Sequence, residues 1–443
     1  MKLCFHGSAS GKGGSVPART RNPFQPSFGV SPPLLSGRDE ILDSFGEGLD
    51  HGPGAPARAI LLEGQRGTGK TVLLNELEAT AAEAGWLVIS DEAGAGFLER
   101  LTQTHLPALL EEWDPRGPRR RLLGGGLGSV GQISTQVSER HQPQPTMRTQ
   151  LALLTDIVAE NNRDADVPVG VLITLDEIHA GSLDELDEFG GQYQLLRREG
   201  RELAFAAAGI TTDIDTLIRS KRVTFLQRAQ RHQLTNLTPS EAAEALQVPI
   251  AEAGGAITPD ALEHAVTASE GYPYVIQAIG YRAWHLARGA TIEHSHVAGG
   301  VTWAGERLGD QVHEPALRGT TPREKQFLCA MAVDDGPAAS ASIRQRLGLS
   351  ASHVSNLGQS LQEKGLVTKL ERGRFDYLLP RLREHLRTQY RDETTAMAGR
   401  GAAAQAFGEL PRTPPPPPVA PDPHQPTPPR QRARTNEPRR GRR

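Results

Sequence analysis

The sequence predicts an α/β fold with a mostly parallel sheet and helices on both faces, followed by an all-helical region and a small module of helices closed by a hairpin. Three observations lead there. Short apolar runs alternate with helical stretches from Arg58 to about Leu237, the pattern turns wholly helical after Pro239, and after Thr321 short amphipathic helices give way to two strands meeting at Arg372-Gly373. The chain has 443 residues, 37% hydrophobic and 5% aromatic, enough for two or three domains at roughly 100–200 residues each. The 52 acidic and 49 basic side chains leave a net charge of −3, so there is no global pull toward nucleic acid or anionic lipid. No apolar run approaches the roughly 20 residues of a membrane helix. Cys4 and Cys329 cannot build a disulfide framework, and Met1 to His6 runs into Gly and Ser before a signal-peptide core can form. A cytoplasmic protein with no membrane partner is expected.

In order along the chain, residues 1–33 are rich in Gly, Ser and Pro and read as a disordered N-terminal arm. Residues 34–238 form the expected α/β domain. Its strands are Arg58–Glu63, Trp86–Ser90, Val169–Leu175, Leu203–Ala208 and a weaker one around Leu234 to Leu237. Leu73, Leu74, Leu77, Ala81 and Ala84 share one face of a helix after the first strand. A Gly-rich insertion is expected at about 118–146. Helices opened by Pro259 and Pro273 belong to a helical region over 239–300. Thr321-Pro322-Arg323-Glu324 is a capping box that opens a module over 321–390. Residues 400–443 read as a disordered Pro/Arg-rich tail, either a plain solvated terminus or a polybasic arm for phosphate backbones or an acidic partner.

The sharpest motif is Gly64-Gln65-Arg66-Gly67-Thr68-Gly69-Lys70-Thr71, which fits G-x-x-x-x-G-K-[ST] between a strand and a helix. Glycines let the backbone wrap a phosphate, so that several N–H groups and the helix N-terminus face the anion. Lys70 would reach the β- and γ-phosphates, and the Thr71 hydroxyl would ligate Mg²⁺. Only seven lysines occur against 42 arginines, which makes a lysine at this position informative. The apolar strand ending in Asp176-Glu177 supplies the metal-side carboxylate: Asp176 for Mg²⁺, and Glu177 to orient or deprotonate the attacking water. His179 reads as a surface or packing residue. A P-loop NTPase using ATP and Mg²⁺ is therefore expected.

With these motifs in place, roughly residues 34–390 resemble an AAA+-type ATPase, of the kind related to origin-recognition initiators and the STAND regulators. Leu35-Ser-Gly37-Arg38-Asp39-Glu40 resembles the Gly-Arg-acidic motif beside the adenine pocket, which implies a nucleotide contact for Arg38. The resemblance puts Thr212 at sensor 1, where that family usually carries Asn. It makes Arg228 the candidate arginine finger for a neighbouring copy, with Arg231 in reserve, and implies self-association. Gly271-Tyr272-Pro273 resembles the STAND-like lid contact to nucleotide, whereas initiators carry an Arg at about Tyr274. That departure implies a slow switch that reports ADP or ATP, with Pro273 at the nucleotide.

The last module fits a winged helix. Val354, Leu357 and Leu361 keep one apolar face of its second helix, while His353, Ser355, Asn356 and Gln359 point away as base-edge readers; Arg372 and Arg374 sit at the wing for phosphate. Two functions follow. In one, ATP state controls a DNA-binding initiator-like loader or transcription regulator. In the other, a STAND-like signalling or defence ATPase uses the winged helix and tail to bind protein.

Overall fold

The structure is a computed structural model and describes residues 21–27, 29–113, 145–164 and 167–408. The expected Gly-rich insertion, save its last two residues, and the tail beyond 408 lie outside the described residues.

Five parallel strands form the sheet: β1 (Ala59–Gly64), β2 (Leu87–Glu92), β3 (Val171–Asp176), β4 (Leu203–Gly209) and β5 (Gln230–Leu234). Their order is β2-β3-β4-β1-β5, so β1 lies between β4 and β5 while β3 ends one strand further away. Strands β1 and β4 are buried along their whole length. Near-continuous apolar runs are what a sheet covered on both faces requires. The fifth strand begins four residues before the stretch expected from sequence. Its segment, Gln-Arg-His-Gln-Leu, is polar because β5 is an edge strand that pairs with β1 alone, so apolar patterning could not mark it.

In chain order the helices of this domain are α1 (Asp39–Asp50), α2 (Lys70–Glu83), α3 (97–113, with a π turn at Leu101–His105), α4 (Met147–Asn161), α5 (Leu183–Arg198) and α6 (Thr211–Arg219). Helix α2 buries Leu73, Leu74, Leu77 and Ala81 against the sheet. Phe189 and Tyr193 of α5 pack on Phe205 of β4, with ring centroids 5.4 and 5.7 Å apart. Arg58, fully buried just before β1, is fixed by the Gly48 and Leu49 carbonyls and by Glu202, with its guanidinium 4.8 Å from the Trp86 ring.

The next four helices are α7 (Pro239–Glu252), α8 (Pro259–Ser269), α9 (Pro273–Ala287) and α10 (His294–Leu308), with a two-strand parallel pair, β6 (Ala256–Ile257) and β7 (Thr291–Ile292), between them. Proline stands at the first helical position of α7, α8 and α9, where its missing N–H costs nothing. A π turn at Gly309–His313 and a short α11 (Glu314–Arg318) lead onward.

The C-terminal module holds α12 (Pro322–Ala332), β8 (Ala338–Ala339), α13 (Ser340–Leu347), α14 (Ala351–Glu363), β9 (Val367–Leu370) and β10 (Arg374–Tyr377), then α15 (Leu382–Gln389) and α16 (Arg391–Gly408). The Thr321 capping box forms as its sequence dictates, and Ser350 caps α14. Strands β9 and β10 pair antiparallel across Arg372-Gly373, both with left-handed φ, and β8 adds a third strand that sequence patterning did not mark. Helix α16 runs from Arg391 to Gly408, so the first nine residues of the tail expected from residue 400 are helical.

The described end of the N-terminal arm is packed. Phe24 is 1% exposed against Gly280 of α9, the Asn22 amide donates to the Tyr281 carbonyl at 2.9 Å, and the Gln25 N–H donates to Gln277 at 3.1 Å. A single aromatic side chain anchors a segment whose Gly and Pro content reads as loose. One core fills the α/β domain; a second runs unbroken from Phe24 through α7–α10 into the C-terminal module.

Candidate nucleotide site

Strand β1 ends at Gly64 and α2 begins at Lys70, so the phosphate-loop motif is the turn between them. Gly67 and Gly69 take φ of +78° and +92°, a region that L side chains avoid. A Cβ on Gly67 would also meet the Tyr272 hydroxyl at 2.5 Å. Lys70 is 7% exposed and donates to the Gly64 and Gln65 carbonyls at 3.1 and 2.9 Å. Burial lowers its pKa, and the carboxylates of Glu177 and Asp176 oppose that shift.

The carboxylate expected on the metal side, Asp176, stands at the end of β3. Thr71 Oγ1 donates to Asp176 Oδ2 at 2.6 Å, across 105 positions of sequence, and the Glu177 N–H donates to the other oxygen of Asp176 at 2.8 Å. A hydroxyl and a carboxylate side by side are the hard oxygen donors that Mg²⁺ takes. Glu177 has a left-handed φ of 48°. Its Oε2 is buried without a hydrogen bond, although His179 Nδ1 lies 3.3 Å away at ion-pair distance. His179 Nε2 lies 3.6 Å from Asp213, so the imidazole stands between two carboxylates. The sequence reading missed this, because Asp213 is 34 positions away and only the fold brings it near.

A cavity of about 400 Å³ opens beside the loop. Its polar end is Arg66 to Thr71 with Glu177; its apolar end includes Leu34, Leu35, Ile276 and Val312. Arg38 and Pro273 both line it. The Arg38 guanidinium donates to the Thr235 carbonyl at 2.6 Å, and burial lowers its pKa against the pull of Glu241. Tyr274, where an initiator-like Arg is absent, lines the cavity and donates to Gln311 Oε1 at 2.5 Å. Tyr272, 1% exposed, donates to the Arg66 carbonyl and ties the phosphate loop to α9; burial raises its pKa. Gln311 and Tyr272 are further site residues that the sequence alone did not single out.

Thr212 lies outside this cavity. With Gly64, Gln65 and Thr68 it lines a second crevice, about 590 Å³, whose far wall is Gln359, Gln362 and Glu363 of α14. Gly365 of the C-terminal module approaches the Gln65 amide there. Gln359, expected among the base-edge readers, thus faces the α/β domain, and its amide donates to Glu363 at 3.0 Å. His353, Ser355, Asn356 and Gln359 are exposed, as are Arg372 and Arg374. Arg374 is turned back to donate to the Pro337 carbonyl at 2.9 and 3.2 Å.

The two arginine-finger candidates separate. Arg228 is exposed at the end of a 3₁₀ turn, Thr224–Arg228. Arg231 forks onto Glu63 at 3.0 and 2.7 Å and reaches Asp215 at 2.8 Å, and these bonds raise its pKa. It is a structural residue here.

Comparison with known proteins places the fold. Residues 41–104 match the family described as mitochondrial ribosomal death-associated protein 3, and residues 310–386 match one described as a domain of unknown function, DUF8462. No curated protein matches the chain. A Walker-type ATPase of Pyrococcus abyssi is similar in structure at 15% identity, covering 80% of this chain and 96% of its own, with a TM-score of 0.53. The ORC2 protein of Aeropyrum pernix is similar at 16% identity over 86% of this chain and 98% of its own, also at 0.53. Those likenesses and the parallel strand order show the α/β fold of a P-loop NTPase. Among the described residues no helix is long and apolar enough to cross a membrane.

Proposed function

We propose that this chain binds ATP and ADP with Mg²⁺, hydrolyses ATP slowly as a nucleotide-controlled AAA+ switch, and couples its nucleotide state to a winged helix that contacts duplex DNA. The contact between Thr71 and Asp176 carries the reading, because it joins the phosphate loop to the one carboxylate a bound metal needs. Thr71 and Asp176 would hold Mg²⁺, which when bound neutralises charge across the β- and γ-phosphates. Lys70 and the N–H groups of the loop hold the phosphates. Glu177 has an unbonded buried oxygen within reach of His179, which suits a group that orients water and accepts its proton. The apolar end of the cavity suits a base. The ORC2 structure was determined as ADPNP–ADP complexes, which supports a nucleotide in the corresponding cleft here. Slow turnover rests on Tyr274, which cannot offer the γ-phosphate the cation that initiators place there.

DNA contact rests on α12, α13 and α14 with the β9–β10 hairpin of the C-terminal module, with His353, Ser355, Asn356 and Arg372 exposed. A second reading also has support: Gln359 faces the α/β domain and Arg374 is held by a carbonyl, which favours a STAND-like signalling ATPase whose winged helix binds protein. Exposed Arg228 remains the group by which a second copy would complete the site. Titration of duplex DNA with and without Mg-ATP, over a range of salt, separates the two readings. Steeply salt-dependent binding with ATP supports the first; no salt-sensitive binding at low ionic strength assigns the module to protein.

A further inference from the structure

The π turn Gly309–His313 touches the candidate nucleotide cavity on one side and the C-terminal module on the other. Gln311 and Val312 line the cavity wall. The Tyr274 hydroxyl holds Gln311 Oε1 at 2.5 Å, which leaves the amide N–H groups as donors for an acceptor on a base edge. The next residue but one faces the other way. His313 is 1% exposed, and its Nε2 meets the Pro380 carbonyl of the module at 2.9 Å. Burial lowers its pKa to about 4, so the ring is neutral and Nε2–H is the donor in that bond. Its ring centroid is 4.8 Å from that of His385 on α15, and His385 Nε2 lies 3.0 Å from Glu314, directly after the π turn. Gly309 has no room to spare: a Cβ there would stand 3.0 Å from His385 Nδ1. A π turn inside a helical run carries one residue more than the α-helix allows, a geometry retained mostly where it serves function.

The same module touches the phosphate loop from its other flank, where Gly365 meets Gln65. A shift of the π turn therefore changes the crevice between α14 and the loop. We propose that the π turn Gly309–His313 is the joint through which bound nucleotide sets the position of the C-terminal module, with Gln311 as its sensing residue and His313 as its anchor. This rests on nucleotide binding in the cavity.

The test is hydrogen–deuterium exchange of the full-length protein at residues 359–368, with Mg-ATP, with Mg-ADP and without nucleotide, beside a direct measurement of nucleotide affinity. Wild-type protein should show exchange there that differs with nucleotide. His313→Leu keeps buried volume but loses the bond to Pro380; it should bind nucleotide within about twofold of wild type and lose the difference. Gln311→Ala should lose the difference and weaken affinity by about two- to tenfold, one net hydrogen bond. If His313→Leu fails to fold, Gln311→Ala, a half-buried residue on the cavity wall, still decides. Wild-type protein that binds nucleotide without a response at 359–368, or variants that respond as wild type does, would overturn the joint. Wild-type protein that binds no nucleotide overturns instead the reading on which the joint depends.

Discussion

Lys70→Ala isolates the phosphate loop from everything else in the molecule. Lys70 is 7% exposed, and its ammonium bonds to the carbonyls of its own loop, Gly64 and Gln65. Its desolvation lowers its pKa despite Asp176 and Glu177 nearby, so the free protein gains little stability from the charge. Thermal stability of the variant should stay within about 1 kcal/mol of wild type, since two loop hydrogen bonds are lost while a desolvated cation is removed. In the proposed binding mode the same ammonium would face phosphate oxygens. A charge-assisted contact of that kind contributes roughly 1.5–3 kcal/mol, a loss of about ten- to a hundredfold in affinity. Isothermal titration with Mg-ATP gives the affinity, and a thermal melt of the same sample shows that the variant is folded. Unchanged affinity in a folded Lys70→Ala protein would refute the phosphate-loop assignment, because no other lysine is expected to take this role.

Glu177→Gln should retain Mg-ATP but abolish its turnover, because the amide keeps the shape and cannot take a proton; single-turnover hydrolysis at the wild-type rate would remove Glu177 from the chemistry. Arg228→Ala should leave stability unchanged and lower turnover only at protein concentrations where copies associate. Arg231→Ala should instead destabilise by about 2–4 kcal/mol, since it leaves buried Glu63 unpaired; equal effects of the two on turnover per folded molecule would undo their separation. Arg372→Ala should weaken DNA binding to every sequence and reduce the salt slope by about one, whereas Asn356→Ala should change sequence preference alone; a slope unchanged by Arg372→Ala removes it from the phosphate. Acid should destabilise the protein in two ranges. The folded His313 pKa of about 4 lies below its ordinary 6.5, so the unfolded chain binds more protons between them and stability falls as pH drops from about 6.5 to 4. Burial would raise the Glu324 pKa, but hydrogen bonds from Lys364, Ser360 and Thr321 hold it down to about 2, so its contribution is complete above about 4.5 and lost below. Melts of His313→Leu should show a flatter dependence from pH 6.5 to 4; a slope equal to that of wild type would refute the first range.

The legible parts were those in which local chemistry has one use. Gly67, Gly69, Lys70 and Thr71 mark a turn and a helix start by residue type alone, and the strand before them is apolar because it is covered on both faces. Proline at the head of α7, α8 and α9, and the capping box at Thr321, fixed helix starts in the same local way. Strand β5 was displaced because an edge strand keeps polar residues, one of which, Arg231, has its partners on β1 and α6. Phe24 could not be seen as an anchor, since the Gly280 gap it fills lies more than 250 positions away.

The sequence by itself determined the class of fold, the turn from Gly64 to Lys70 between a strand and a helix, and the place of Asp176-Glu177 at a strand end, because periodicity and turn chemistry act over a few residues and need no partner. Tertiary structure alone decided which distant groups meet those residues. It put Asp176 against Thr71, His179 between Glu177 and Asp213, and Tyr272 on the Arg66 carbonyl. It also removed Arg231 from the free cations, moved Thr212 and Gln359 to a crevice beside the loop, and set Gln311 in the cavity wall with His313 on the module. Such pairings depend on strand order and on how α9 and the π turn pack against both neighbours. Contacts between residues tens to hundreds of positions apart leave no periodic mark on either segment.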